Sequence, residues 1–120
     1  MMKANIYYWK DTRWMIRLGS EDHPDHPTKD DIRKDYVKLP IELEIPDNIK
    51  ERDLTDYVFQ IMNNANSEIK NPMGTPQMQE WLKKHGLHHT SMSVADIIEY
   101  QIDGTKKMQI CEEFGWTDLT

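Results

Sequence analysis

Residues 88–116 read HHTSMSVADIIEYQIDGTKKMQICEEFGW, and the reading of this stretch decides the fold. Val94 to Ile102 is dense in β-branched and aromatic residues, which favours a strand. Asp103-Gly104 is a strong hairpin signal, and Met108 to Cys111 supplies the return strand. Phe114-Gly115-Trp116 opens a last strand that ends near Leu119. The turn carries a conflict. A two-residue loop sets Ile102 opposite Thr105, Tyr100 opposite Lys107 and Ile98 opposite Gln109, so apolar residues of one arm meet polar residues of the other. A slip of one residue exchanges the faces of a strand. Gathering Ile98, Tyr100 and Ile102 with Met108 and Ile110 on one face therefore calls for a three-residue loop or a bulged strand, and that is the expectation.

Before this stretch the pattern turns helical. Leu54, Tyr57, Val58, Ile61, Met62 and Ala65 form one apolar stripe at helical spacing, with Asp53 as N-cap and Asp56 in the first turn. Asn63, Asn64 and Asn66 mark its end, and Asn71 to Gly74 is a loop. Thr75-Pro76 starts a second helix, with Met78, Trp81, Leu82 and His85 on one face and Gly86 as the stop.

At the N-terminus, residues 4–10 read as a strand with apolar side chains on both faces, Ile6 and Tyr8 against Tyr7 and Trp9. Asp11-Thr12 interrupts it. Trp14, Ile16 and Leu18 alternate with Met15 and Arg17, which suggests a second strand closing a hairpin. Residues 20–31 are polar and turn-rich, and Thr28 with Asp31 can cap one short helical turn. Val37, Leu39, Ile41, Leu43 and Ile45 share one parity, and Pro40 confines this segment to an edge strand or two short pieces. The fold class that follows is α+β. A single domain over residues 1–120 would pack an antiparallel sheet, made of an N-terminal hairpin, a C-terminal hairpin and a closing strand, against two helices.

Composition narrows the classes further. Hydrophobic residues are only 38% of 120, but four Trp, five Tyr and eight Met exclude a disordered chain. The net charge of −6 disfavours nonspecific nucleic-acid binding. Charge is uneven along the chain. Lys3, Lys10, Arg13 and Arg17 stand against Asp11 in residues 1–17, whereas acids outnumber Lys106 and Lys107 in residues 94–120. Cys111 stands alone, so no intramolecular disulfide forms. No apolar run approaches a membrane span and the first residues lack a signal-peptide core, so a cytoplasmic protein is expected, in the host cytoplasm if phage-encoded.

The phrase His89-Thr-Ser-Met-Ser-Val-Ala-Asp-Ile-Ile98, followed by Asp103-Gly104 and Phe114-Gly115-Trp116, resembles the C-terminal signature of small proteins encoded by bacteriophages and mobile elements, with relatives described as YodL-like. In that signature the run is approximately His-Thr/Arg-Ser-Met/Leu-Ser-Val-Gly-Asp-Val/Ile-Ile/Val, then a hairpin with Asp-Gly, then Gly-Phe or Gly-Trp. The likeness covers about the last third of the chain and implies provenance and fold more than activity. Ala95 departs from it, standing where the signature usually has Gly. Gly there permits positive φ, which Ala disfavours, so a ligand-cradling turn is not expected. Ser93 to Asp96 also resembles, more faintly, the entrance to strands in PUA-like and ASCH-like β-barrels.

Candidate chemistry gathers in two places. His88, His89, Thr90, Ser91, Ser93 and Asp96, together with Trp116, form the candidate ligand or partner surface. Their hydroxyls and imidazoles could line a ligand site or supply a Ser–His pair. The bland reading is a loop whose hydroxyls bond local backbone, with Asp96 as anchor, and it is preferred. Lys10, Arg13, Trp14 and Arg17 suit stacking on single-stranded nucleic acid, against the preferred reading of Arg stems covering aromatics. His23 and His26 lie in the wrong setting for a helical metal pair, so no metal and no cofactor is expected. His85 reads as a packed or capping residue, and Cys111 has no partner motif for catalysis. Three functional readings stand. The first is a non-enzymatic phage or mobile-element accessory protein that binds a host or phage protein. The second is a nucleic-acid-binding module of small β-barrel type, and the third is a His/Ser-based enzyme or metal-binding protein.

Overall fold

In a computed structural model, which describes residues 2–20, 26–63, 75–87, 92–112 and 115–119, β1 (Met2–Trp9) lies inside the sheet and pairs on both sides. The strand order is β2-β1-β3-β4-β5, with β2 at Tyr36–Ile45, β3 at Ile97–Ile102, β4 at Thr105–Glu112 and β5 at Gly115–Leu119. Every pairing is antiparallel and the sheet is open, so the α+β class holds. Asn64, Ala65, Asn66, the loop from Asn71 to Gly74 and Phe114, on which expectations fell, lie outside the described residues.

The pleat sends alternate residues of β1 to two different cores. Ala4, Ile6 and Tyr8 pack with Leu54, Val58 and Met62 of α3 (Glu51–Asn63) and Leu82 of α4 (Pro76–Lys84). Tyr7 and Trp9 pack with Trp14 and Leu18 of α1 (Thr12–Ser20) and with Ile32 of α2 (Lys29–Asp35). Apolar side chains on both faces of residues 4–10 thus mark a strand covered on both sides.

The N-terminal hairpin expected from Trp14, Ile16 and Leu18 does not form. Residues 12–20 are helix α1, and β1 pairs instead with β2 after the two-helix crossover. Trp14 and Leu18 satisfy a period of four as well as a period of two, and burial chooses between them. Both are buried while Ile16 is 59% exposed, which a shared strand face would forbid. Asp11 starts the helix, its Oδ1 accepting from the Arg13 amide at 2.9 Å. Helices α1 and α2 therefore add to the expected two. The short helix does carry the capping box, Thr28 and Asp31 bonding each other's main-chain amides.

The offset expected at the C-terminal hairpin is also absent. Asp103 (φ +50) and Gly104 (φ +79) make a regular two-residue turn, and Ile102 pairs with Thr105, Tyr100 with Lys107 and Ile98 with Gln109. The turn wins because the polar side chains find partners on the α3 face. Lys107 bonds Glu51 of α3, and Gln109 Oε1 accepts from the Tyr100 hydroxyl at 3.1 Å. Met108 and Ile110 belong to the other face, packed in the α1 core.

Edge strand β2 follows its reading. Val37 to Ile45 keeps one parity in the α3 core, and the register with β1 shifts between Asn5 and Tyr7, opposite Pro40. Helix α3 starts at Glu51, so Asp53 sits in the first turn rather than at the cap, its amide bonding the Lys50 carbonyl. Thr75 caps α4 as expected, and His85 stacks on Trp81 with ring centroids 4.1 Å apart.

Candidate functional site

The loop entering β3 is built around a carboxylate. Asp96 is fully buried, and its Oδ2 accepts from the Ser93 amide at 2.8 Å while its Oδ1 accepts from the Trp9 amide at 3.2 Å. The Trp9 indole donates to Ser93 Oγ and to the Val94 carbonyl, and the Tyr36 hydroxyl donates to the Ala95 carbonyl at 2.6 Å. The end of β1 and the start of β2 thus hold this loop from two sides. Ser93 and Asp96 are joined by the bond from the Ser93 amide at 2.8 Å and by a longer bond from the Ser93 hydroxyl to Asp96 Oδ2 at 3.4 Å, and both belong to the web that fastens this loop to β1. His88, His89, Thr90 and Ser91 lie outside the described residues.

Ala95 corrects the expectation drawn from its methyl group. It adopts φ +80, the left-handed conformation that glycine favours. Its amide bonds the Cys111 carbonyl, and the Cys111 amide bonds the Asp96 carbonyl, so Ala95 and Asp96 together face one residue of β4. That is a bulge of the kind whose first residue is usually glycine. The buried methyl packs in the α1 core, which offsets part of the backbone cost.

Cys111 is buried beside this bulge, and burial, with the Asp96 carboxylate adding, pushes its thiol up to about 12. Burial likewise raises the Tyr8 and Tyr36 hydroxyls well above the ordinary tyrosine range. His26 Nε2 lies 2.5 Å from Glu112 Oε1, tying the segment before α2 to the end of β4. Among the described residues no group of three or more His, Cys, Asp or Glu is placed to hold a metal ion, and His23 lies outside them.

The N-terminal basic residues sit differently from a stacking platform. Trp14 is 3% exposed, its indole donates to Asp35 Oδ2 at 2.9 Å, and the Arg13 and Arg17 guanidinium groups lie over its ring. Arg13 also pairs with Asp35 at 3.0 Å, while Lys10 is exposed.

Trp116 pairs with Cys111, across β4 from the loop, and opens onto a groove of about 780 Å³ between the first turns of α3 and strands β3, β4 and β5. Tyr100, Gln109 and Asp118 form its floor as a hydrogen-bonded row, Gln109 Nε2 donating to Asp118 Oδ1 at 2.8 Å. Phe59 meets the Trp116 ring edge-on at 6.2 Å and fixes its orientation. Lys50 and Arg52 bring positive charge to the wall, against Asp56 and Asp118. The sequence signal for this groove was the register conflict itself, because Lys107 and Gln109 opposite Tyr100 and Ile98 placed polar groups on an otherwise apolar face. Comparison of the chain with protein-family models, with curated proteins and with solved structures finds no match.

Proposed function

We propose that this chain is a small accessory protein of a phage or mobile element that acts in the host cytoplasm by binding a protein, not by catalysis. The observation that carries this reading is the groove at Trp116. Trp116, half-buried, with Tyr100 and Arg52 beside it, brings together the three residue types in which protein-binding hot spots are enriched. The resemblance of residues 89–116 to the YodL-like signature supports the provenance. The net charge of −6 and the covered ring of Trp14 favour a protein partner over a nucleic acid, since a base has no open face of that indole to stack on. Among the described residues no helix is long and apolar enough to cross a membrane.

Affinity capture from a bacterial lysate with the wild-type chain and with Trp116→Ala tests the reading. A host protein held by the wild type and weakened about 30-fold by the substitution is the expected result. Two outcomes would sink it. One is capture that ignores Trp116; the other is binding to single strands that falls steeply with salt.

A further inference from the structure

The two edges of the sheet are finished differently. The β2 edge carries Pro40, a register shift and the exposed charges Lys38, Glu42 and Glu44, all devices that discourage another strand from pairing. The β5 edge, Gly115–Leu119, has neither proline nor register shift: its register with β4 is continuous, and in its sequence, GWTDL, Asp118 is the one charge. Among the described residues, no strand pairs with its outer side.

The direction of its free main-chain groups follows from the ladder. Cys111 turns its N–H and C=O toward β3, where they bond Asp96 and Ala95. Alternation turns Ile110 and Met108 toward β5, opposite Thr117 and Leu119. Trp116 and Asp118 therefore point their N–H and C=O groups outward. Two copies related by a two-fold axis through Thr117 would set Trp116 of each opposite Asp118 of the other, as hydrogen-bonded pairs. Thr117 would face Thr117 as a non-bonded pair, a favourable cross-strand combination. No like charges meet in this register. Moving it by one residue on each chain would set Asp118 against Asp118.

We infer that β5 is an association edge for a second copy of this chain, pairing antiparallel about Thr117 to make one continuous sheet across two subunits. The interface is isologous and short, so the dimer forms reversibly and strengthens as salt screens the net charge of −6 on each chain. It uses the main-chain groups of β5, whose Trp116 and Asp118 side chains also line the groove, so the dimer is tested by association of the chain alone, without a host protein.

Sedimentation velocity over a concentration series tests this, with circular dichroism to confirm folding of each variant. The wild-type chain is expected to show a concentration-dependent dimer. Asp118→Pro removes an outward donor without touching the β4 ladder, and Thr117→Lys sets two cations face to face. Each is expected to weaken the dimer at least tenfold. Mixing Thr117→Lys with Thr117→Glu is expected to restore it. Thr117→Cys should form a reducible covalent dimer on mild oxidation, because non-bonded antiparallel pairs hold their Cα atoms at disulfide distance. The wild type, with Cys111 buried, should not. A wild-type chain monomeric at about 1 mM overturns the inference. So does a dimer that neither Asp118→Pro nor Thr117→Lys disturbs. If Thr117→Lys fails to fold, Asp118→Pro and the Thr117→Cys crosslink decide.

Discussion

The Trp9 amide donates to the buried Asp96 carboxylate across a sequence separation of 87 residues. This bond joins the end of the first strand to the loop that launches the third. The same carboxylate holds the Ser93 amide, so one side chain fastens two main-chain segments. Asp96→Ala leaves both amides short of an acceptor in the interior. A loss of about 3 kcal/mol in urea unfolding is expected. Asp96→Asn keeps the shape and should lose less. A loss under about 0.5 kcal/mol for Asp96→Ala would show that water replaces the carboxylate and that the loop does not depend on it.

Ala95 and Gly104 both hold positive φ but differ in surroundings. Gly104 has open space around it, so Gly104→Ala carries the backbone cost alone, about 1 kcal/mol. At Ala95 the methyl is buried, so Ala95→Gly trades packing and chain entropy against relief of strain and should stay within about 1 kcal/mol of the wild type. Ala95→Val places a branched side chain in a fully buried left-handed site, and should cost about 3 kcal/mol or more. Thermal melts of the three variants check the order; a harmless Ala95→Val would contradict the bulge.

Cys111, Tyr8 and Tyr36 share one alkaline consequence. Each has its proton held by burial, so its folded pKa lies above its unfolded value. Their contribution is fully present below those unfolded values, near 9.0 for the thiol and 10.0 for the phenols, and is lost as pH rises toward the folded ones. The urea midpoint should therefore fall between about pH 9 and 11. A flat midpoint through that range would contradict the burial.

The thiol gives a second readout near neutral pH. With its thiol pushed up to about 12 and buried from the reagent, native Cys111 should react with a disulfide reagent at least about tenfold more slowly than the unfolded chain. Equal rates in buffer and in denaturant would place the thiol at the surface.

Trp14→Ala removes a buried indole together with its bond to Asp35, and should cost about 3–5 kcal/mol. Arg13→Ala should cost under about 1 kcal/mol, because that guanidinium is half exposed. Chemical denaturation of the two variants separates packing from charge.

These residues also show what could be read in the sequence. The helical stripe from Leu54 to Met62 was legible because it outlasts any strand, and the Thr75-Pro76 start because cap chemistry is local. The segment from Trp14 to Leu18 was not, because five residues satisfy both periods and only the exposure of Ile16 separates them. The hairpin register was misread by assuming one apolar face. The sheet has a core on each side, and the polar residues opposite Tyr100 and Ile98 are satisfied by Glu51 and by Tyr100 itself. The anchoring role of Asp96 was legible from Ser93-x-x-Asp96. The positive φ of Ala95 was not, because a buried methyl can outweigh a residue's own preference. The polar floor of the groove was signalled by the hairpin register, but its wall required the third dimension, since α3 and β5 meet only through the fold.

The position of β1 inside the sheet has a consequence for synthesis. One of its neighbours, β3, lies more than 90 residues downstream, with Asn5 bonded to Glu99 at a separation of 94. A ribosome needs on the order of 10 s to make that length. Through that interval the first strand has β2 on one side and helices α1, α2 and α3 to cover its faces, but the edge that β3 will occupy stays unpaired. The nascent chain thus carries an open strand edge until β3 is made, so yield in the cell should depend on chaperones that shield that edge.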